Sequence, residues 1–533
     1  MSFVYTKQAG LITAFLLITQ LVSASVSSEK LGTVSFPNSG SDKAQGHFLR
    51  GLAALHSFWY PEALSEFENS TKADPAFAMG YWGQAMAYNH PLWEEQNFKS
   101  ARNVLAKIPN NPSITNRERD YIQAVRLLYG EGTKTKRDKA YSKAMKKVYS
   151  SYPNDLEAAC FYSLSLLGIA KNAENKLPLQ VESGAIALEV FEKNLDHPCA
   201  AHYTIHAFDT PDLARLALPS AKRFADIAPA SAHAQHMPAH IFIQLGMWKE
   251  ATNSNKKGWT TSVAWVKRKN LPKANRDYHS LQWSHYTNLQ QGLLQDAAAV
   301  FAIQQKDMQM GIESKSNLRA GKYYPRMFAA SILETEQWKK AEQNTPLKGW
   351  KPKMYPQAEY NFARGFAAAM QGDIINANKY LKELKTIREK NFRENYYKRI
   401  NSLLVWELEI QVAIKLFQKD FSSSIELAKQ ATLIEAKLPA PSGPPRILKP
   451  TYELLGEVYL KANQPALAKE QFSISLQRHR NRLRSLVGAA RSAKLLGDKS
   501  SAKEIYTQLL DQLKDADQGF PVLVEAKEFL NSL

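Results

Sequence analysis

KPTYELLGEVYLKANQPALAKEQFSISLQRHR, residues 449–480, is the stretch on which the fold turns. Tyr452, Leu455, Gly456 and Tyr459 fall on one helix, and Ala468 and Phe472 on the next. Roughly 34 residues further on, Leu486, Ala489, Ala490 and Ala493, then Gly497, Ala502 and Tyr506, fill the same slots. A copy near the other end reads Gly51, Ala63, Phe67 and Pro75, followed by Tyr81, Ala85 and Tyr88. A period in this range predicts a helix-turn-helix solenoid, in which each unit buries its apolar face only against its neighbours.

The spacing is that of tetratricopeptide repeats, so the expected fold is all-α: a right-handed superhelix of roughly eleven or twelve helix pairs. At 533 residues the chain is too long for one compact core. A solenoid escapes that limit because it grows in one dimension. Helix boundaries are punctuated by Asp74-Pro75, Tyr152-Pro153, Ala228-Pro229, Leu245-Gly246 and Gly372-Asp373. No stretch alternates with period two between turn residues, so no sheet is expected.

Residues 1–24 read as a cleaved export signal: Lys7, the apolar run AGLITAFLLITQLV at 9–22, then Val22-Ser23-Ala24. The run is short for a membrane span, although an anchor helix is the competing reading. The expectation is an exported chain, periplasmic or secreted, with no stable membrane span. Residues 25–43 read as a flexible lead-in, 44–310 as an N-terminal array, 311–350 as an irregular junction and 351–533 as a C-terminal array with a capping helix. The Pro-rich run LPAPSGPPRILKP at 438–450 is either a rigid connector or a segment folded across the groove, and the connector is the expected form. The formal charge of +19 favours acidic partners; export argues against nucleic acid. Cys160 and Cys199 are expected as two buried free thiols.

The repeat frame places histidines on one face. With Pro198 at position 1, His202 is position 5, His206 position 9 and Asp209 position 12. The next repeat starts at Ala232, with His233, His236 and His240 at positions 2, 5 and 9. A third starts at Tyr278 and puts His279 at position 2 and Tyr286 at position 9. Positions 2, 5, 9 and 12 share a helix face that lines the concave groove in such arrays. Upstream, Trp82 lines it, and His56 and His90 fall close by.

A histidine pair at i, i+4 presents two nitrogens to one point, a common helical metal-ligand arrangement. His202/His206 and His236/His240 make two such pairs, and Asp209 could ligate or orient a ring. The competing reading is a polar groove in which the imidazoles hydrogen-bond each other, backbone and water. Pro238 complicates the second pair, because a helix starting there would leave His236 in the preceding turn. HExxH, GxSxG, P-loop and dinucleotide motifs are absent, so no catalytic residue is named and the chain reads as a binding protein before an enzyme.

The segments YWGQAMAYNHPLW (81–93), HPCAAHYTIHAFDTP (197–211), IAPASAHAQHMPAHIFIQLGMW (227–248) and GPPRILKPTYELLGEVYL (443–460) resemble exported bacterial tetratricopeptide-repeat proteins of unassigned role. That group is distantly similar to the tetratricopeptide repeat protein 38 family. The resemblance implies an all-helical superhelix and no established reaction. It marks His90, His202, His206, Asp209, His236, His240 and His279 as site candidates. Together these readings predict a scaffold without a cofactor, binding a peptide segment or small polar or anionic ligand. Its His-rich groove would be lined by Trp82, His90, His202, His206, Asp209, His236, His240, His279 and Tyr286. The alternative is a zinc-type site at His202, His206, His236 and His240, with metal-dependent hydrolysis as its chemistry.

Overall fold

Phe472 shows why the helices pair as they do. Its fully buried ring lies between Gly456, on the first helix of its own pair, and Gly488, on the first helix of the next. A methyl group added at Gly456 would stand 2.8 Å from the ring, and one at Gly488 only 2.1 Å. Phe67 lies in the same way against Gly51 at 2.9 Å and Gly83 at 2.3 Å. A small–large–small stack therefore recurs at both ends of the chain. Gly488→Ala is expected to cost about 1–3 kcal/mol through overpacking. Gly46, in the helix Asp42–His56, faces open space, and Gly46→Ala should instead stabilise by about 0.5–1 kcal/mol. Denaturation midpoints that move in the same direction for both variants would refute this packing argument.

The computed structural model describes residues 30–109, 113–314, 319–343, 347–393 and 399–533, so the expected signal at 1–24 lies outside the described residues. Among the described residues twelve helix pairs follow one another, from Asp42–His56 with Tyr60–Ala73 to Leu483–Leu495 with Lys499–Gln512, and Pro521–Asn531 comes after them. One of these helices is interrupted: Ala232–His236 and Pro238–Gln244 are joined through Met237, which keeps helical angles (φ −54°, ψ −36°). The fold is an all-α solenoid of helix pairs. No helix among the described residues is long and apolar enough to cross a membrane.

Several expectations are corrected. The described part of the lead-in is not loose. Leu31 and Phe36 are 4% and 3% exposed, Thr33 N–H donates to the Asp196 carbonyl, and Ser39 donates to Glu118. Two apolar side chains in a polar segment were enough to dock it. Cys160 and Cys199 form a disulfide, with Cα atoms 6.0 Å apart, within the ordinary range for such bonds. One antiparallel bridge, Asn89–His90 with Glu95–Gln96, interrupts the helices. Pro91 holds His90 extended, and the turn Pro91–Trp93 ends on Glu94 in the left-handed region (φ 58°).

The Pro-rich run is folded onto the histidine-bearing helices and does not act as a free connector. The Pro441 carbonyl accepts from Gln244 Nε2 at 2.6 Å, and Arg326 donates to the carbonyls of Pro445 and Arg446. Gly443 approaches Trp283 so closely that a Cβ there would lie 2.2 Å from the indole. The last helices also return to the middle of the chain. Trp248 donates to the Asn481 carbonyl at 2.8 Å, Gln512 to the Gln290 carbonyl, and Asp517 N–H to the Gly292 carbonyl. Arg482, fully buried, donates to Glu453, Glu334 and Tyr286.

Two histidine triads in the groove

Three consecutive first helices, Pro198–Ala207, Ala232–Gln244 with its interruption, and Tyr278–Gln290, bring six histidines together. His202 Nε2 lies 3.0 Å from His206 Nε2 and 3.1 Å from His233 Nε2. His236 Nε2 lies 3.2 Å from His240 Nε2, and His279 offers a ring nitrogen within 4.8 Å of both. Metal–nitrogen bonds of about 2.0–2.1 Å at tetrahedral angles separate ligand nitrogens by about 3.3–3.4 Å. The spacing within each i, i+4 pair is thus close to that of ligands on one ion. Pro238 removes an N–H without ending the helical path, and His240 N–H bonds the Met237 carbonyl at 3.1 Å. The i, i+4 relation of His236 and His240 survives.

The outer nitrogens are held by fixed acceptors. His202 Nδ1 lies 2.6 Å from the His56 carbonyl, which can only accept, so this nitrogen carries the proton. His236 Nδ1 lies 2.7 Å from Asn255 Oδ1, whose amide nitrogen is already committed to the Ala251 carbonyl. His240 Nδ1 lies 2.7 Å from Asp209 Oδ2, and Asp209 Oδ1 accepts from Gln244 Nε2 at 3.0 Å. Each acceptor fixes a tautomer with its lone pair on Nε2, the arrangement that orients metal-binding histidines. In the first triad, His206 and His233 can donate to the His202 lone pair. In the second, His236 and His240 turn two lone pairs toward each other at 3.2 Å. Only a cation between them, a proton or a metal ion, makes that contact favourable.

Burial disfavours the charged form of five of these rings. It pushes His202 and His236 down to about 3, with neighbouring rings adding to the effect. His206, His233 and His279 are held well below the usual imidazole range, first by burial and then by neighbouring rings. Neutral imidazole is the ligating form. Phe58 covers the first triad, its ring 4.3 Å from His202. Trp283 covers the second, 4.5 Å from His240 and 4.8 Å from His236.

Behind the first triad, Glu157 accepts from His56 Nε2 at 2.5 Å and His197 Nε2 at 3.1 Å. Burial alone would raise the Glu157 carboxyl, but these two imidazoles outweigh it and hold it at about 2. Tyr203 hydroxyl meets His56 Nδ1 at 2.8 Å. This buried cluster fixes the His56 carbonyl on which His202 rests.

The structure brings His202, His206, His236, His240 and His279 together, with Asp209 behind His240 as an orienting group. Three other candidates lie elsewhere. Trp82 is 1% exposed, enclosed by Phe36, Tyr121 and Phe161, because the lead-in fills the groove at that point. His90 stacks on Tyr60 at 3.8 Å and faces Glu95, since its helix ends before it. Tyr286 is buried and accepts from Arg482 instead of facing the groove. His233 was on the predicted face but absent from the proposed ligand set, and position 2 of its repeat was the signal for it. Asn255 and Trp283 had no sequence signal.

No protein-family model matches the chain, and no curated protein does. Among solved structures it is similar to yeast Tom70, at 12% identity over 92% of this chain and 95% of that one, with a TM-score of 0.33. It is also similar to the human IFIT1 dimer, at 13% identity over 89% and 91% with a TM-score of 0.31. For the TPR domain of P58(IPK) the figures are 12% identity, 71% and 99%, with a TM-score of 0.22.

Proposed function

We propose that the groove is a transition-metal centre carried on an exported helical scaffold. The observation that carries this reading is the His236–His240 contact, where Asn255 and Asp209 fix both outer protons and leave two inner lone pairs face to face. A metal ion turns that contact from repulsive to binding, and imidazole donors suit zinc and copper. The triads refine the four-histidine set by adding His233 and His279. The disulfide supports the export reading, since such bonds persist in oxidising compartments.

The test uses the full chain without a histidine tag, stripped with chelator and dialysed against zinc or copper(II). Elemental analysis should find metal retained at one or more equivalents per chain. Free metal at about 100 times Kd should raise stability by about 2.7 kcal/mol. His236→Ala with His240→Ala should remove at least one equivalent and the matching part of the gain. Metal that washes out of the wild-type chain with no change in its melting would sink the proposal.

A further inference from the structure

The second triad repeats the first. In each, an i, i+4 pair at positions 5 and 9 of one repeat is completed by the position-2 histidine of the next: His202, His206 and His233, then His236, His240 and His279. An aromatic ring lies against each, Phe58 on the first and Trp283 on the second. The two sets share a wall, with the His206 and His240 rings 6.1 Å apart and those of His233 and His236 6.3 Å apart. A repeat that makes a three-nitrogen site has been used twice in succession, and the copies touch.

We propose that the two triads hold a pair of copper ions that binds dioxygen between them. This rests on the metal reading above and adds to it the identity of the metal, its number and its ligand. Neither triad includes a carboxylate or thiolate. Neutral imidazole suits copper, which also stands highest in the divalent affinity order. Charge points the same way. Two divalent ions would bring four positive charges, against the carboxylates of Asp209, bonded to His240, and of Asp277, bonded to the His279 backbone. A copper(I) pair brings two, and uncompensated charge in a buried site is costly.

The cuprous pair also has electrons to give. Each copper(I) loses one electron and becomes copper(II), and dioxygen takes both to become a bridging peroxide dianion. The net charge of the site is unchanged, and no proton moves. Access fits a small neutral ligand: Phe58 lies over one triad, and Trp283, itself pressed by Gly443 of the Pro-rich run, lies over the other.

The experiment loads the metal-free full chain with copper(I) under nitrogen, removes excess by desalting and counts copper. Dioxygen is then admitted in an oxygen electrode, and a sample is frozen for electron paramagnetic resonance. Two coppers per chain, one dioxygen taken up per pair and a silent spectrum from coupled copper(II) are expected. His279→Ala should keep one copper, abolish stoichiometric uptake and give an isolated copper(II) signal. If the wild-type chain holds metal but shows a single copper, or two independent copper(II) signals, the pair is refuted while the metal centre stands. If neither zinc nor copper is retained, both readings fail together. The wild-type count and spectrum decide the matter even if the variant does not fold.

Discussion

Replacing Arg482 with methionine is expected to destabilise the chain by about 3–5 kcal/mol, the usual effect of removing one partner from a buried ion pair. The Arg482 guanidinium is fully buried. It donates to both Glu453 oxygens, from Nε at 2.7 Å and Nη2 at 3.0 Å, and from Nη1 to Glu334 and to Tyr286 hydroxyl, both at 2.8 Å. Burial would raise the Glu453 carboxyl, but Arg482 and Lys449 hold it far below its ordinary range. Without the guanidinium, Glu453 keeps the buried Lys449 but Glu334 loses its cation in a dry interior. Glu334→Gln added to Arg482→Met should recover part of the loss, because it removes the stranded charge. The exposed pair Lys249–Asp515 joins the same two regions of the chain, and Lys249→Ala should leave the urea midpoint nearly unmoved. If Arg482→Met behaves like Lys249→Ala, the network does not hold the returning helices in place.

Asp209→Asn is expected to weaken metal binding by about 10–100-fold without touching a ligand atom, the usual effect of losing an orienting partner. Asp209 accepts from His240 Nδ1 and Gln244 Nε2 with separate oxygens. Asparagine has one oxygen and one amide donor, so it cannot accept at both positions. If its oxygen stays with Gln244, the amide turns toward His240 Nδ1 and moves the ring proton to Nε2, which blocks the lone pair. Competition against a chelator of known affinity measures the change. Affinity equal to wild type, in a variant with unchanged circular dichroism, would show that Asp209 does not set the tautomer.

The parts of this molecule legible in the sequence are those set by local spacing. Gly456 and Phe472 announce the helix pairs because each unit packs only on its neighbours. The same frame placed six histidines on one face, and two of its pairs, His202/His206 and His236/His240, do converge. Where the reading failed, a distant segment had intervened. Trp82 occupies a groove position in its own repeat, but Phe36 from the lead-in covers it. Tyr286 has the correct register, yet Arg482, nearly two hundred residues later, takes its hydroxyl. The Pro-rich run shows plainly that it is not helical, but nothing in it specifies Trp283 or Gln244 as its resting place. Periodicity carries information between adjacent repeats and none between repeats that meet only because the superhelix turns.

The contact between Gln244 and Pro441 spans 197 residues. At about 5–20 residues per second, a ribosome needs on the order of 10–40 s to make that stretch. Throughout that interval the imidazole helices exist and the segment that will roof them does not. The histidine-bearing helices are therefore made well before the segment that rests against Trp283 and Gln244.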